Sequence, residues 1–84
     1  MAVQIHKLKI LYLFRILMEH TDEDHVMTAQ ELCGILNSKY GIEAERKSIY
    51  SDIETLQAFG VDVLQRKGSN PGYYIGQRNF NYRN

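Results

Sequence analysis

The sequence predicts a small α+β domain in which three helices are followed by a two-stranded β-hairpin. Three observations favour this fold class: apolar residues recur at helical spacing in three successive segments, a glycine follows the second and the third segment, and a turn-forming stretch separates two short β-prone runs near the C-terminus. With 84 residues, 44% of them hydrophobic, the chain can bury one modest core. We therefore expect one domain over residues 1–76, with 77–84 as a C-terminal tail or the start of a linker.

The first helix is predicted from Ile5 to about His20, and it carries two apolar groups. The first group has the spacing of a core face: Ile10, Leu13, Phe14 and Leu17. The second group is expected on the other side of the helix: Leu8, Leu11, Tyr12 and Ile16. Because the two groups together exceed what a small monomer needs to bury, the second is interpreted either as a homodimer surface or as a well-covered helix face.

The second helix is predicted to begin at Thr28 and to end at Gly41. Thr28 and Glu31 fit the Ser/Thr-x-x-Glu capping box, and a glycine directly after a helical stretch is typical of a helix C-terminus. The buried stripe of this helix is expected to contain Leu32, Leu36 and Tyr40. Residues 25–27 are short enough to form an edge strand or an extended lead into the helix.

The third predicted helix, residues 45–59, has two different faces. Its apolar face is formed by Ile49, Ile53, Leu56 and Phe59. Its polar face contains Arg46, Lys47, Ser48, Tyr50 and Ser51. Backbone N–H groups and the helix dipole favour an anion at the N-terminal end, so basic and hydroxyl side chains there indicate contact with phosphates and base edges. Only residues 42–44 separate this helix from the second, which suits a helix-turn-helix.

The hairpin is predicted from two runs, 61–65 and 73–75, with a turn rich in Gly, Ser, Asn and Pro between them. Three helices followed by such a hairpin have the order of a winged helix-turn-helix. The wing, residues 66–72, carries a cluster of Arg66, Lys67, Ser69 and Asn70. As a bare pattern such a cluster is often only solvated, but after a recognition helix it favours contact with phosphate or the minor groove.

Ten basic and ten acidic side chains give a formal net charge of zero, so any non-specific affinity for DNA is expected to be modest. The charges are unevenly distributed. Acidic residues are concentrated in residues 21–34, and the last quarter of the chain is basic through Arg66, Lys67, Arg78 and Arg83. A neutral total therefore does not exclude a nucleic-acid partner.

The sequence argues against an enzyme, because no Ser/His/Asp set, Gly-rich phosphate loop or credible pair of carboxylates is present. No metal or cofactor is expected either, since the three histidines lack i, i+4 pairing and one cysteine is present to join them. Cys33 is interpreted as a buried, reduced thiol. Arg15 interrupts the first apolar run, so neither a signal peptide nor a membrane span is expected, and the predicted location is cytoplasmic.

One segment resembles a known family most closely: Arg46-Lys47-Ser48-Ile49-Tyr50-Ser51-Asp52-Ile53, preceded by Tyr40-Gly41-Ile42 and followed by Gly72-Tyr73-Tyr74. The chain is similar to the N-terminal winged helix-turn-helix domain of bacterial WYL-domain transcriptional regulators, related to the DeoR-like group. The resemblance covers nearly the whole chain and implies that residues 45–59 are the recognition helix and that the partner is double-stranded DNA.

Two features depart from that family. Ser51 stands where the family commonly has an arginine, and the ligand-sensing domain with its Trp-Tyr-Leu motif is not in this chain, which contains no tryptophan. Arg78 and Phe80 resemble the Arg-x-Phe that leads into that second domain. The sequence is thus compatible with a fragment that continues into a C-terminal ligand-sensing domain, which the first helix could dock, and with a stand-alone protein.

Each candidate contact has a structural alternative. Arg46 is expected to read a base, with a surface ion pair to Glu43 or Glu45 as the alternative. Ser48 could reach a phosphate or bond its own backbone, and Tyr50 could contact phosphate and sugar or pack against the wing. Asp52 is expected to hold a basic side chain or backbone donors inside the domain.

The function predicted from these residues is sequence-specific DNA binding by a transcriptional regulator. The recognition helix would enter the major groove while the wing touches flanking backbone. The alternative is a winged helix used as a protein-protein interaction module that does not bind DNA.

Overall fold

The computed structural model describes residues 4–77. Its elements are α1 (Ile5–His20), α2 (Ala29–Tyr40), α3 (Arg46–Phe59), β1 (Val63–Arg66) and β2 (Gly72–Ile75). The predicted fold class, an α+β domain of three helices followed by a two-stranded antiparallel hairpin, is confirmed. No helix within the described residues is both long enough and apolar enough to cross a bilayer.

The two ends of α2 have the local structure that the sequence predicts. The backbone N–H of Glu31 donates to the Thr28 hydroxyl at 3.1 Å, and the N–H of Thr28 donates to the Glu31 carboxylate at 2.8 Å, which completes the capping box. Gly41 has φ = 68°, a left-handed conformation that lets its N–H donate to the carbonyl of Asn37. The capping box and Gly41 thus define the two ends of α2, and the connection to α3 begins at Gly41.

The strand β2 is paired on both sides. Along one side Tyr73 lies opposite Gln65 of β1, and on the other its backbone exchanges two hydrogen bonds with Met27, of 3.0 and 2.7 Å. The extended segment predicted at 25–27 is thus confirmed, with its pairing to the hairpin limited to Met27. Gly72 allows the close approach, since a Cβ there would lie 2.8 Å from Cγ2 of Val26.

The core lies between the three helices and the inner face of the hairpin. Its buried members are Leu13, Ile16, Leu17, Ala29, Leu32, Leu36, Ile42, Ile49, Ile53, Leu56, Val61, Val63 and Ile75. Thr21 is buried among them, donating its hydroxyl to the carbonyl of Leu17 and accepting from the N–H of Ile75. This hydroxyl therefore connects the end of α1 to β2.

Two predicted apolar faces differ in part from the structure. Ile16, grouped with Leu8, Leu11 and Tyr12 on a face that was either a homodimer surface or a well-covered helix face, is fully buried, which fits the second interpretation at this position. It is buried because α1 packs against α2, α3 and β2 and so buries a wider arc than one stripe. Phe59, predicted on the buried face of α3, is 68% exposed because it is the last residue of the helix.

Smaller differences concern side chains at the margin of the core. Alternation along a strand would place one of Tyr73 and Tyr74 in the core and leave the other partly exposed. Both are half-buried, and the large side chain of β2 that is buried is that of Ile75. Cys33 is half-buried rather than buried. Each of these positions lies at the margin of the core, where alternation along a strand or helix does not determine how much solvent remains.

Candidate nucleic-acid interface

The third helix presents a polar face away from the core. Ile49, Ile53 and Leu56 are buried, whereas Arg46, Lys47 and Ser51 are exposed. The first turn contains no acidic residue, and the side chain of Glu45 makes no capping bond to it. The backbone donors and the positive end of the helix dipole are therefore accompanied by two cations.

The two cations of the first turn have no close counter-ion within residues 4–77. Among residues 4–77, the ion pairs within 4.0 Å are Lys9–Asp52, His25–Asp22 and Lys39–Glu19. The alternative for Arg46, an ion pair with Glu43 or Glu45, is thus not formed within the described part of the chain. Both carboxylates are nevertheless exposed in the preceding loop, so they reduce the local positive potential.

Ser48 is held inside the domain. Its hydroxyl donates to the carbonyl of Glu45 at 2.9 Å and accepts from Nζ of Lys9 at 3.4 Å. Of the two roles predicted for this residue, the local backbone bond is the one observed. With both of these bonds formed, its hydroxyl has little capacity left for a phosphate.

Tyr50 lies between the polar face of α3 and the wing. Its side chain is 46% exposed, and its ring centroid is 6.3 Å from that of Tyr73, with the rings tilted by 51°. Burial, and to a smaller extent Tyr50, raises the pKa of the Tyr73 phenol above its ordinary value. Tyr50 therefore packs against the wing and still has surface free, so the two predicted roles are compatible.

Of the two partners expected for Asp52, a basic side chain or backbone donors, the structure shows a basic side chain, that of Lys9 in α1. Lys9 is buried, and its ammonium also reaches the hydroxyl of Ser48. The sequence analysis missed this role of Lys9, which lies 43 positions from Asp52. A signal was present, since a lysine within the apolar spacing of a helix requires a counter-charge.

The two cations of the wing, Arg66 and Lys67, have different environments. The guanidinium of Arg66 donates to the carbonyl oxygen of Glu23 and lies 5.9 Å from the centre of the Tyr74 ring, so it is directed toward the α1–α2 connection. Lys67, Ser69 and Asn70 are exposed on the turn. Arg66 thus supports the wing, and Lys67 is its exposed cation.

The α1–α2 connection, which is rich in acidic residues, contacts the wing through its backbone. Asp22 accepts from Nδ1 of His25 and from the N–H of Asp24, both at 2.8 Å, and these bonds lower the pKa of Asp22. The adjacent Glu23 holds Arg66 through its backbone. The sequence did not indicate that this acidic loop would lie beside the wing.

The described residues gather no group of three metal-ligating side chains. Arg78, Arg83 and the Arg-x-Phe motif at 78–80 lie outside the described residues. No family model, curated protein or solved structure matches the chain. The resemblance to WYL-domain regulators therefore stays a prediction, and the functional argument depends on the geometry of α3 and the wing.

Proposed function

We propose that the chain is the DNA-binding domain of a cytoplasmic bacterial transcriptional regulator, with α3 as the helix that enters the major groove of double-stranded DNA. One observation carries the proposal. Arg46 and Lys47 are exposed in the first turn of the second helix of a helix-turn-helix, and no carboxylate of the described residues lies within 4.0 Å of either charge.

The exposed side chains of α3 suit different groups of the DNA. Arg46 presents a planar fork that fits the O6 and N7 acceptors of guanine, and Lys47 is suited to a phosphate as a point charge. Ser51 is exposed and short, so it lets the helix approach the base edges closely. Tyr50 supplies a phenol beside them for a phosphate.

The wing adds contacts to flanking backbone. Lys67, Ser69 and Asn70 are exposed on its turn and offer one charge and two neutral polar groups. Arg66 and Ser48 stabilise the domain instead of contacting DNA, since both are engaged in intramolecular bonds. The proposed contact set therefore consists of residues 46, 47, 50, 51, 67, 69 and 70.

The affinity for arbitrary DNA should be modest. The net charge is zero, and Glu43, Glu45 and Glu54 are exposed on or next to the proposed interface. These carboxylates repel phosphate, so binding should depend on a few well-placed contacts rather than on a broad positive field.

Fluorescence anisotropy of a labelled duplex, titrated with the 84-residue chain at several salt concentrations, tests the proposal. The logarithm of the binding constant should fall linearly with the logarithm of the salt concentration, with a slope of about −0.9 per phosphate contacted. No binding to a diverse pool of duplexes at low salt would contradict it and favour the protein-interaction module.

The role of Arg46 is tested on a duplex selected from that pool. Arg46→Ala should weaken binding by about 1 to 3 kcal/mol and relax the preference at one base pair. Lys39→Ala is the matched control, because it removes an exposed cation of α2 that is outside the proposed contact set and pairs with Glu19 at 3.8 Å. Equal losses from the two variants would remove Arg46 as the base reader.

Dimerisation through α1 would place two such helices on one duplex. With Ile16 in the core and the ring of Tyr12 stacked 4.0 Å from that of Tyr40, the predicted surface is reduced to Leu8 and Leu11, so dimerisation is not part of this proposal. The DNA-binding proposal holds for a monomer as well, since all of its contacts come from one chain.

A further inference from the structure

A groove between α1 and the C-terminal half of α3, called here the α1–α3 groove, lies outside the proposed DNA interface. It has a volume of about 290 Å³. Thr55 is the polar residue in its lining, and the apolar ones are Ile10, Leu11, Phe14, Leu56, Phe59 and Val61. At a rise of about 1.5 Å per residue, Phe59 lies roughly 20 Å along the helix axis from Arg46. The lining residue nearest to the proposed DNA contacts is Thr55, one helical turn beyond Ser51, so the two surfaces share no residue.

The groove contains the two most exposed large hydrophobic side chains of residues 4–77, Leu11 at 62% and Phe59 at 68%. They come from different helices and line the same concave surface. Scattered apolar side chains are normal on a protein surface, but a contiguous concave set marks an interaction site. Covering both side chains would release apolar surface from water, which favours association.

The size and chemistry of the groove favour a peptide over a small polar ligand. Pockets for small molecules measure about 300 to 1,000 Å³ and converge several polar groups on the ligand. This groove is at the lower limit of that range, and the hydroxyl of its one polar lining residue, Thr55, donates to the carbonyl of Ser51 at 3.1 Å. An apolar groove beside a helix suits the anchors of an amphipathic helix, which are spaced at i, i+3 or i+4, and i+7.

Charge indicates which helix would fit. Lys7 and Arg15 precede and follow Leu11 by four positions, so they lie on the same side of α1 as Leu11, outside the lining itself, and both are exposed. The guanidinium of Arg15 lies 5.3 Å from the centre of the Tyr12 ring and keeps its charge there. Among residues 4–77 neither Lys7 nor Arg15 has a carboxylate within 4.0 Å. Acidic side chains flanking the apolar anchors of a partner would complement these two cations.

The same charges disfavour a second copy of this chain. A two-fold interface brings a surface patch against itself, so Lys7 and Arg15 of one copy would approach Lys7 and Arg15 of the other. We propose that the α1–α3 groove docks an amphipathic helix of a partner protein, with apolar anchors against Leu11 and Phe59 and with acidic residues opposite Lys7 and Arg15.

The probe is a capped amphipathic peptide with Leu at i, i+4 and i+7 and Glu at the flanking positions, titrated into the isotope-labelled 84-residue chain and followed by amide chemical shifts. Saturable shifts should be confined to the lining of the groove, and the first turn of α3 should stay unshifted. A peptide of the same apolar residues with Lys in place of Glu is the charge control and should bind more weakly.

Matched variants of the chain test the apolar anchor and the charge of the groove separately. Leu11→Ser should weaken the acidic peptide about tenfold, whereas Leu64→Ser, which alters an exposed leucine of β1 outside the groove, should leave the affinity unchanged. Lys7→Gln should weaken it about two- to fivefold, and Lys39→Gln should not. All four positions lie at the surface, so the variants should fold.

Three results with the peptides would overturn the proposal, and so would one result with the free chain. The peptide results are equal affinity for the Glu and Lys peptides, shifts outside the groove lining, and absence of saturable binding by the acidic peptide. Concentration-dependent self-association that shifts the groove residues in the free chain would assign the surface to a second copy instead. None of these outcomes bears on duplex binding, which is measured separately.

Discussion

The ammonium group of Lys9 in α1 donates to a carboxylate oxygen of Asp52 in α3, and this ion pair joins two helices 43 positions apart in sequence. The side chain of Lys9 is 8% exposed and that of Asp52 is 18% exposed. Solvent therefore screens the pair only partly. The pair also neutralises a carboxylate at the margin of the proposed DNA interface, so it contributes to both packing and surface charge.

Removing one partner of this pair should cost more than removing both. Lys9→Met should lower the free energy of unfolding by about 3 kcal/mol, near the lower end for breaking a buried pair because Asp52 keeps some solvent. Lys9→Met combined with Asp52→Leu should restore most of that loss, since no buried charge is left uncompensated. Urea unfolding followed by circular dichroism measures both values, and additive losses would contradict the interpretation.

The two cations of the wing should respond differently to truncation. Arg66→Ala should lower the free energy of unfolding by about 1 kcal/mol, because it removes the hydrogen bond to the carbonyl of Glu23. Lys67→Ala should change the free energy of unfolding by less than about 0.5 kcal/mol. It should also reduce the slope of the salt dependence of duplex binding by the equivalent of about one phosphate contact. Urea unfolding and salt-dependent anisotropy of both variants distinguish the roles, and the reverse pattern would exchange them.

Gly72→Ala should destabilise the domain through a steric clash. The new Cβ would lie 2.8 Å from Cγ2 of Val26 and 2.9 Å from the backbone N of Met27, and the backbone neighbour cannot rotate away. A loss of about 1 to 3 kcal/mol is expected from such overpacking. Gly34→Ala is the control, because nothing lies within 4 Å of its Cβ position in α2 and it should stabilise the helix by about 0.5 to 1 kcal/mol.

Cys33 should react slowly in the folded chain. Burial raises the pKa of its thiol, and the smaller opposing effects of Lys9 and Arg46 do not cancel the increase. A raised pKa means less thiolate at a given pH, so alkylation by iodoacetamide should be slower than in urea and should accelerate at a higher pH. Mass spectrometry of the time course measures both rates, and equal pH profiles in the two states would contradict the prediction.

The parts of the fold that sequence reasoning predicted are those decided locally. The capping box of Thr28 and Glu31, the left-handed Gly41 and the order of helices and strands depend on residues a few positions apart, and all are confirmed. An intramolecular partner for Asp52, either a basic side chain or backbone donors, was also predicted, because a carboxylate at the edge of a buried face requires a donor. The basic side chain is the partner observed.

What the sequence did not reveal depends on contacts between distant elements. The identity of the partner of Asp52, the direction of Arg66 and the burial of Ile16 all depend on which helix or loop packs nearby. A single helical wheel assigns one buried stripe to α1, whereas three neighbouring elements bury a wider arc. The sequence left two roles open for Ser48, because its hydroxyl can contact a phosphate or bond locally. Its bonds to the carbonyl of Glu45 and to the distant Lys9 show the local role.

The third helix is held from two sides. On one flank Asp52 pairs with Lys9, and on the other the amide of Gln57 donates to the carbonyl of Val63 at 2.8 Å while Tyr50 packs beside Tyr73. These attachments oppose rotation of the helix about its own axis. The exposed face of α3 therefore has a fixed orientation before a ligand binds, and little conformational entropy of the helix is lost on association.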